Sequence, residues 1–245
     1  MKSLKRSIPS WLRTRKALVI IPLLFLAARI SIIPAIWPER AASECLEPPF
    51  EGCGFAFDEA HYLPVVRKLL SGEVTNLEHP PLSKLLIALG VIVFGDNPWG
   101  WRVPGTLLSA LTVLTVGLIA YRVTRDLRLA TTSQLLAVTD VTFFNIAGLA
   151  LLDPPFLLFT LLSFYLLIDG RRGLAGLAAG VAMLSKTSAL IVLPALVAVE
   201  ALHSYVKTRD LDVAVVTVKE SARQVGTPAL AVFLVGLGAF DVVTG

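Results

Sequence analysis

Residues 57–62 read Phe-Asp-Glu-Ala-His-Tyr, and residues 78–84 read Glu-His-Pro-Pro-Leu-Ser-Lys, in a chain that is otherwise largely apolar. These polar segments are close enough in sequence to fold into one site. Asp58 is also in position to cap a helix over residues 59–70, which Ser71 and Gly72 would end. Capping accounts for one acid but leaves the other acids, the histidines and the Pro-Pro pair unexplained. The region therefore predicts a functional site.

The composition of the chain fixes its class. Hydrophobic residues make up 55% of the 245 residues, charged residues make up 16%, and the mean hydropathy is +0.74. A soluble domain of this length could not carry so much apolar surface, so the sequence predicts a polytopic membrane protein. The formal charge of +4 comes from basic clusters between apolar runs. This pattern indicates membrane topology and predicts no nucleic-acid partner.

The N-terminal part predicts a basic cytoplasmic tail over residues 1–16 and a first transmembrane helix over residues 17–37. A cleaved signal peptide is the alternative, but its apolar core is normally shorter than this one. Arg29 lies inside the predicted span. It either extends toward the lipid headgroups or serves a function, and the sequence leaves both interpretations open.

Residues 38–102 are predicted to form an external catalytic loop with short interfacial helices. The only cysteines, Cys45 and Cys53, lie in it, and an oxidising compartment would favour a local disulfide. Two free thiols are the alternative, and the spacing does not fit a structural zinc site. Residues 82–94 would form a helix of only about 20 Å, too short for a hydrocarbon core of about 30 Å. We expect this helix to stay at the external interface, with Trp99 and Trp101 as interfacial anchors.

Residues 103–245 are predicted to form a transmembrane helical bundle that is incomplete at its C-terminus. The whole chain is therefore expected to be an all-α bundle of about seven spans. This arrangement puts the basic clusters on one side of the membrane, and a surface helix is expected within residues 207–223. Gly173, Gly176 and Gly180 predict close helix packing. The six predicted spans after the loop cover residues 103–121, 129–149, 154–169, 174–186, 188–205 and 225–243.

This topology brings Arg102, Asp153 and Lys186 to the same membrane face as Asp58. The mixture of carboxylates and cations suits a sugar attached to a lipid phosphate. Cations would neutralise the phosphate leaving group, and a carboxylate would accept the proton of the acceptor hydroxyl. Nothing in the sequence has the pattern of a nucleotide-binding loop, a nucleophile elbow or an HExxH site, so the sugar donor is expected to be a membrane lipid.

Five short segments carry a family resemblance and occur in the family's order. The chain resembles the N-terminal membrane part of the dolichyl-phosphate-mannose protein mannosyltransferases, which are lipid-phosphate-sugar glycosyltransferases of the GT-C type. It departs from them at Ser83, where the family usually has glycine, and in ending well short of a member's usual length. The segments are residues 57–61 (against FDE-x-H), residues 79–84 (against HPPLGK), Arg102, residues 151–153 (against LLD) and residues 184–186 (LSK).

The resemblance implies an inverting mannose transfer from a dolichyl phosphate to a protein Ser or Thr hydroxyl, with Asp58 as base. It implies a cell-membrane enzyme with a cytoplasmic N-terminus and an external active site. In related aminoarabinose and oligosaccharide transferases, the acids equivalent in place to Asp58, Glu78 or Asp153 bind a divalent metal or the acceptor. A divalent metal at Asp58 and Glu78 is therefore one expectation, and a site without metal is the alternative. The residues expected to act in catalysis are Asp58, Glu59 and Asp153, and those expected to bind the donor phosphate are His61, His79, Arg102, Lys186 and Arg29.

Alternative functions also fit the sequence. The chain could be a non-catalytic or split subunit that needs a second subunit to supply missing helices. It could be a transferase of the same fold that acts on a lipid or glycan acceptor. A transporter of lipid-linked sugars is a third alternative, although the acids concentrated in one external loop suit an enzyme better.

Overall fold

A computed structural model describes residues 10–73 and 78–244, and every regular element in these residues is helical. This architecture confirms the predicted all-α class. Short 3₁₀ turns occupy Ile33–Ala35, Ala42–Glu44 and Thr187–Ile191. The α-helices are α1 Ser10–Ile32, α2 Glu59–Leu70, α3 Leu82–Phe94, α4 Pro98–Thr124, α5 Leu127–Thr139, α6 Val141–Ile146, α7 Asp153–Ile168, α8 Arg172–Ser185, α9 Val192–Thr208, α10 Leu211–Ser221 and α11 Thr227–Thr244.

The long helices pack side by side and give the bundle two distinct ends. Gln134 of α5 donates its side-chain N–H to the backbone oxygens of Leu18 in α1, at 2.9 Å, and Val113 in α4, at 3.2 Å. One end carries α2, α3 and residues 33–58, and we call it the loop end. The other carries the α4–α5 and α7–α8 turns with their arginines, and we call it the basic end.

Four helical segments are long and apolar enough to cross a membrane: Lys16–Ala35, Pro98–Thr124, Thr187–Thr208 and Leu211–Phe240. The first begins within α1, which starts at Ser10, inside the predicted tail; residues 1–9 of that tail lie outside the described residues. Helices α7 and α8 have only 16 and 14 residues. The fold is thus a helical membrane bundle that combines four candidate spans with shorter apolar helices.

Two predicted helices, one span and one surface helix, were wrong in detail. The helix expected over residues 129–149 stops at Thr139, because Asp140 caps a new helix by accepting the N–H of Phe143 at 2.6 Å. The separate surface helix expected within residues 207–223 is instead the first part of a longer helical segment. A π-helical turn, Ala222–Gly226, joins α10 directly to α11.

Helix α3 stays at the loop end, as its length predicts. Near its start, Ser83 donates its hydroxyl to the backbone oxygen of Ser185, at the end of α8, at 3.0 Å. Further along, Gly90 lies so close to α4 that a Cβ atom there would be 2.1 Å from the backbone oxygen of Gly100. Both parts of α3 therefore contact the same end of the bundle.

The loop between α1 and α2 is held by a disulfide between Cys45 and Cys53. The guanidinium of Arg67 on α2 donates to the backbone oxygen of Cys45 at 3.1 Å and to the carboxylate of Asp96 at 2.8 Å. The indole N–H of Trp101 donates to the same carboxylate at 2.6 Å, and this tryptophan is fully buried. The expectation that Trp101 is an interfacial anchor was therefore wrong, because its ring packs inside the protein.

Small residues on α8 allow close packing, as predicted for two of the three glycines. A Cβ atom on Gly176 would be 2.3 Å from the backbone oxygen of Val225, and one on Gly180 would be 2.5 Å from that of Ala229. Gly173 faces open space. The tight contact thus involves the second and third glycines only.

Candidate active site

A polar cavity of about 330 Å³ opens at the loop end. We call it the loop cavity. Helix α2 contributes one wall because Asp58, at its N-cap, and the residues three, four and seven positions later lie on the same face. The segment before α3 and the first turn of α3 form the other wall. The lining residues are Asp58, His61, Tyr62, Val65, Glu78, His79 and Lys84.

Asp58 occupies the N-cap position of α2, but its side chain makes no capping hydrogen bond. Phe57, just before it, has a positive φ of 57° and turns the chain into the helix. The neighbouring Glu59, and not Asp58, accepts a backbone N–H near the helix start: its Oε2 atom accepts that of Ala56 at 2.9 Å. The Asp58 carboxylate is therefore not committed to the helix start and faces the cavity.

Tyr62 lines the loop cavity and was not among the predicted site residues. Burial raises the pKa of its phenol, and the charges of Asp58, Asp153 and Glu78 raise it further. The Tyr62 and His79 rings meet edge to face with centroids 6.3 Å apart. Three carboxylates from distant parts of the chain thus act on one phenol, which stays protonated and able to donate a hydrogen bond at neutral pH.

Lys84 is a second cavity residue that the predicted set omitted, although it ends the quoted motif. The residue is buried, and its ammonium donates to the backbone oxygen of His79 at 2.8 Å. Burial lowers the pKa of the Lys84 amine, while the nearby charge of Glu78 opposes that shift. Its position three residues after the Pro-Pro pair was the sequence signal that could have identified Lys84 as a site residue.

Asp153 and Lys186 form an ion pair near this region, with the Lys186 Nζ atom 2.8 Å from the Asp153 Oδ1 atom. Asp153 opens α7 and Lys186 follows α8, so the antiparallel packing of these helices brings them together. Both side chains are about 30% exposed. The pair is accessible, and the influence of Asp153 on Tyr62 places its carboxylate within electrostatic range of the loop cavity.

Glu59 and Arg102 form a buried ion pair away from the cavity lining, with side chains 0% and 3% exposed. The Arg102 Nε and Nη2 atoms donate to the Glu59 carboxylate at 2.9 and 2.7 Å. The other guanidinium donors reach the backbone oxygens of Ile33, Ile36 and Gly54 at 2.9–3.2 Å. All five N–H donors of the guanidinium are therefore in use.

The Glu59 carboxylate is equally committed. Besides Arg102 it accepts the backbone N–H of Ala56 at 2.9 Å and that of Ala150 at 2.8 Å. Four donors fill its four acceptor positions. The predicted roles of Glu59 in catalysis and of Arg102 in phosphate binding thus do not agree with their placement. Together the two residues join the loop between α1 and α2, the helices α2 and α4, and the approach to α7.

Arg29 also lies outside the loop cavity. It is 7% exposed, its guanidinium carbon is 4.5 Å from the centroid of the Phe144 ring, and Gly148 leaves room for it. Its Nε atom has no hydrogen-bond partner among the described residues. Of the expected phosphate ligands, His61 and His79 line the cavity, Lys186 pairs with Asp153, and Arg29 and Arg102 lie elsewhere.

The predicted metal ligands Asp58 and Glu78 line the same cavity, but they do not make a complete site. Within residues 10–73 and 78–244, no three His, Cys, Asp or Glu side chains are grouped so that they could hold a metal ion. Two carboxylates would hold a divalent cation such as Mg²⁺ only together with water or a phosphate of the substrate.

Comparison with known proteins gives partial relatives from two kinds of transferase. A polyprenol-phosphate-mannose–protein mannosyltransferase of Mycobacterium tuberculosis is 34% identical over 122 residues, which is 47% of this chain and 23% of the relative. An undecaprenyl phosphate-alpha-4-amino-4-deoxy-L-arabinose arabinosyl transferase of Pseudomonas fluorescens is 33% identical over 161 residues, which is 58% of this chain and 28% of the relative. The matched segments thus span about a quarter of these relatives' lengths. No solved structure matches at a significant level.

The family model described as dolichyl-phosphate-mannose-protein mannosyltransferase matches residues 78–235. That range includes Glu78, His79 and Lys84 of the loop cavity as well as the Asp153–Lys186 pair. Because it covers more than half of the chain, this chain belongs to the dolichyl-phosphate-mannose-protein mannosyltransferase family.

Proposed function

We propose that the intact protein transfers a sugar, and specifically mannose, from a polyprenyl phosphate to a protein Ser or Thr hydroxyl. The loop cavity is the proposed site, in the cell membrane at its external face. The observation that carries the proposal is that the Asp58 carboxylate makes no capping hydrogen bond and lines the same cavity as His61, His79 and Lys84. The family membership and the names of the relatives support a lipid-phosphate sugar donor.

In the proposed reaction, Asp58 accepts the proton of the acceptor hydroxyl as that oxygen attacks the anomeric carbon of the sugar. The bond from the anomeric carbon to the phosphate oxygen breaks, and the phosphate leaves with the lipid carrier. Lys84 and the two histidines would neutralise the charge that grows on the leaving group. The phenol of Tyr62 would donate a hydrogen bond to the sugar or phosphate, because it remains protonated.

A second candidate function has a lipid or glycan in place of the protein acceptor. The arabinosyl transferase of Pseudomonas fluorescens aligns with 58% of the chain, a larger share than the 47% of the mycobacterial mannosyltransferase. A partner subunit that supplies further helices, a non-catalytic role and transport of lipid-linked sugars are also compatible with the fold. Product analysis with peptide and lipid acceptors separates these functions.

The test is Asp58→Asn in the intact protein, assayed with a polyprenyl-phosphate mannose donor. Removal of a general base should lower the transfer rate about a hundredfold or more. Folding should be unaffected, because Asp58 makes no capping hydrogen bond that the change would remove. Asp140→Asn is the matched control: Asp140 caps α6, and asparagine caps about as well as aspartate.

We expect the Asp140→Asn protein to retain both stability and transfer. Undiminished transfer by a folded Asp58→Asn protein would overturn the assignment of Asp58 as the base. Asp153 would then be the carboxylate to test, since it is partly exposed and within electrostatic range of Tyr62.

A further inference from the structure

A second cavity of about 470 Å³ lies at the basic end, between the ends of α7, α8 and α9 and the α10 residue Thr217. We call it the basic-end cavity. Ile168 and Arg172, which line it, lie at the opposite ends of α7 and α8 from Asp153 and Lys186. A helix of 16 residues such as α7 is about 24 Å long, so the two cavities are separate sites.

The lining of this cavity carries a net positive charge, from Arg172 and Lys207 against one acid. Its only acid is Glu200, whose charge is already matched: the Arg172 Nε atom is 2.8 Å from the Glu200 Oε1 atom. Arg172 is held further by Gln224 of the π-helical turn, which accepts from its Nη1 atom at 3.5 Å. Lys207, in the last turn of α9, and His203, about one turn before it, add further donors.

Hydroxyl groups and apolar surface complete the lining. Ser204, Thr208 and Thr217 offer hydrogen-bonding groups beside the cations. Leu167 and Val199 add apolar surface to the lining. The lining thus combines apolar surface with cations and hydroxyl groups, as a phospholipid combines acyl chains with a phosphate.

The cavity lies at one end of the bundle, where a candidate membrane span would reach the headgroup layer. The membrane-spanning segment Thr187–Thr208 ends in it, and Arg172 begins α8. Basic pockets between transmembrane helices at such a level bind anionic lipid headgroups. The same end carries Arg122, Arg125 and Arg171, whose positive charge would concentrate anionic lipids nearby.

We propose that the basic-end cavity binds the phosphate-bearing headgroup of an anionic phospholipid. The phosphate lies against Lys207 and His203 and accepts hydrogen bonds from Ser204 and Thr208. The first carbons of the acyl chains lie on Leu167 and Val199. This site is independent of the loop cavity and of the proposed sugar transfer.

The test measures binding of phosphatidylglycerol to the purified chain by native mass spectrometry, with phosphatidylcholine as the neutral comparator. Lys207→Gln should weaken phosphatidylglycerol binding about fivefold, because one lysine near a membrane surface contributes about 1 kcal/mol. Arg128→Gln is the matched control, since Arg128 is exposed at the same end but does not line the cavity. It should bind phosphatidylglycerol as the unchanged chain does.

Three results would overturn the proposal: equal affinity for the two lipids, equal weakening by Lys207→Gln and Arg128→Gln, or full displacement of phosphatidylglycerol by soluble glycerol 3-phosphate. The last result would mean that the site takes a free phosphate and not a lipid. If Lys207→Gln unfolds the protein, His203→Gln replaces it, because His203 lines the same cavity and its side chain is exposed. The same fivefold criterion then applies to that variant.

Discussion

Asp58 and Glu59 are adjacent acids that end up in different environments. Successive residues of an α-helix point about 100° apart, so one carboxylate at the start of α2 faces the loop cavity while the next faces the interior. Glu59 is fully buried against Arg102, and Asp58 is not. The sequence could predict that this region carries a site. It could not separate the two acids, because Arg102 is 43 residues from Glu59 along the chain.

The first prediction at this scale concerns the buried pair. Glu59→Gln should lower the free energy of unfolding by about 3–5 kcal/mol, because it leaves the buried guanidinium of Arg102 without its counter-charge. Glu47→Gln is the matched control: Glu47 pairs with Lys68 at an exposed position, with its side chain 72% exposed. That change should leave the free energy of unfolding nearly unchanged, because an exposed ion pair contributes little. Unfolding in detergent measures both, and equal stability of the two variants would contradict the structural role of Glu59.

At the scale of elements, the sequence predicted helices best where strong local signals mark their ends. Helices α2 and α3 have the predicted bounds, 59–70 and 82–94, because a glycine follows each and a proline or an acid precedes it. The break at Asp140 was missed because one capping aspartate within an apolar run is a weak signal. The continuity of α10 with α11 was missed because charged residues such as Glu220 and Arg223 suggested a separate helix at the membrane surface. In the structure these two side chains pair with each other at 2.8 Å, three residues apart on one continuous helical segment.

A prediction for one element uses two neighbouring glycines of α8. Gly176→Ala should destabilise the protein by about 1–3 kcal/mol, because the added Cβ atom would lie 2.3 Å from the backbone oxygen of Val225. Gly173→Ala adds the same methyl group where nothing lies within 4 Å, so it should stabilise the helix by up to about 1 kcal/mol. Thermal unfolding in detergent distinguishes them. Equal effects of the two substitutions on stability, or a Gly176→Ala protein as stable as the unchanged chain, would contradict the close packing of α8 on α11.

At the scale of the whole molecule, the two ends of the bundle differ in chemistry. The loop end carries the disulfide, the carboxylates of the loop cavity and the Asp153–Lys186 pair. The basic end carries the short turns with their arginines, including Arg122 and Arg171, which both contact Asp169. Disulfides form in oxidising compartments, and basic turns remain on the cytoplasmic side. Both arguments favour the same orientation, with the loop end outside.

The last prediction tests that orientation with single cysteines. The two natural cysteines are bridged, and no other cysteine is present, so the unchanged chain offers no free thiol to a labelling reagent. Glu73→Cys introduces one at the loop end, where Glu73 is exposed, and Arg171→Cys introduces one at the basic end, where the Arg171 side chain is 62% exposed. A membrane-impermeant maleimide added to intact cells should label only the first protein.

Permeabilised cells provide the control, because both cysteines should then react to a similar extent. Labelling of Arg171→Cys alone in intact cells would reverse the orientation and place the loop cavity on the cytoplasmic side. Labelling of both would mean that the bundle is not oriented uniformly. Either result would remove the external face from the proposed function while leaving the contacts within the loop cavity unchanged, since those depend on how the helices pack and not on which side they face.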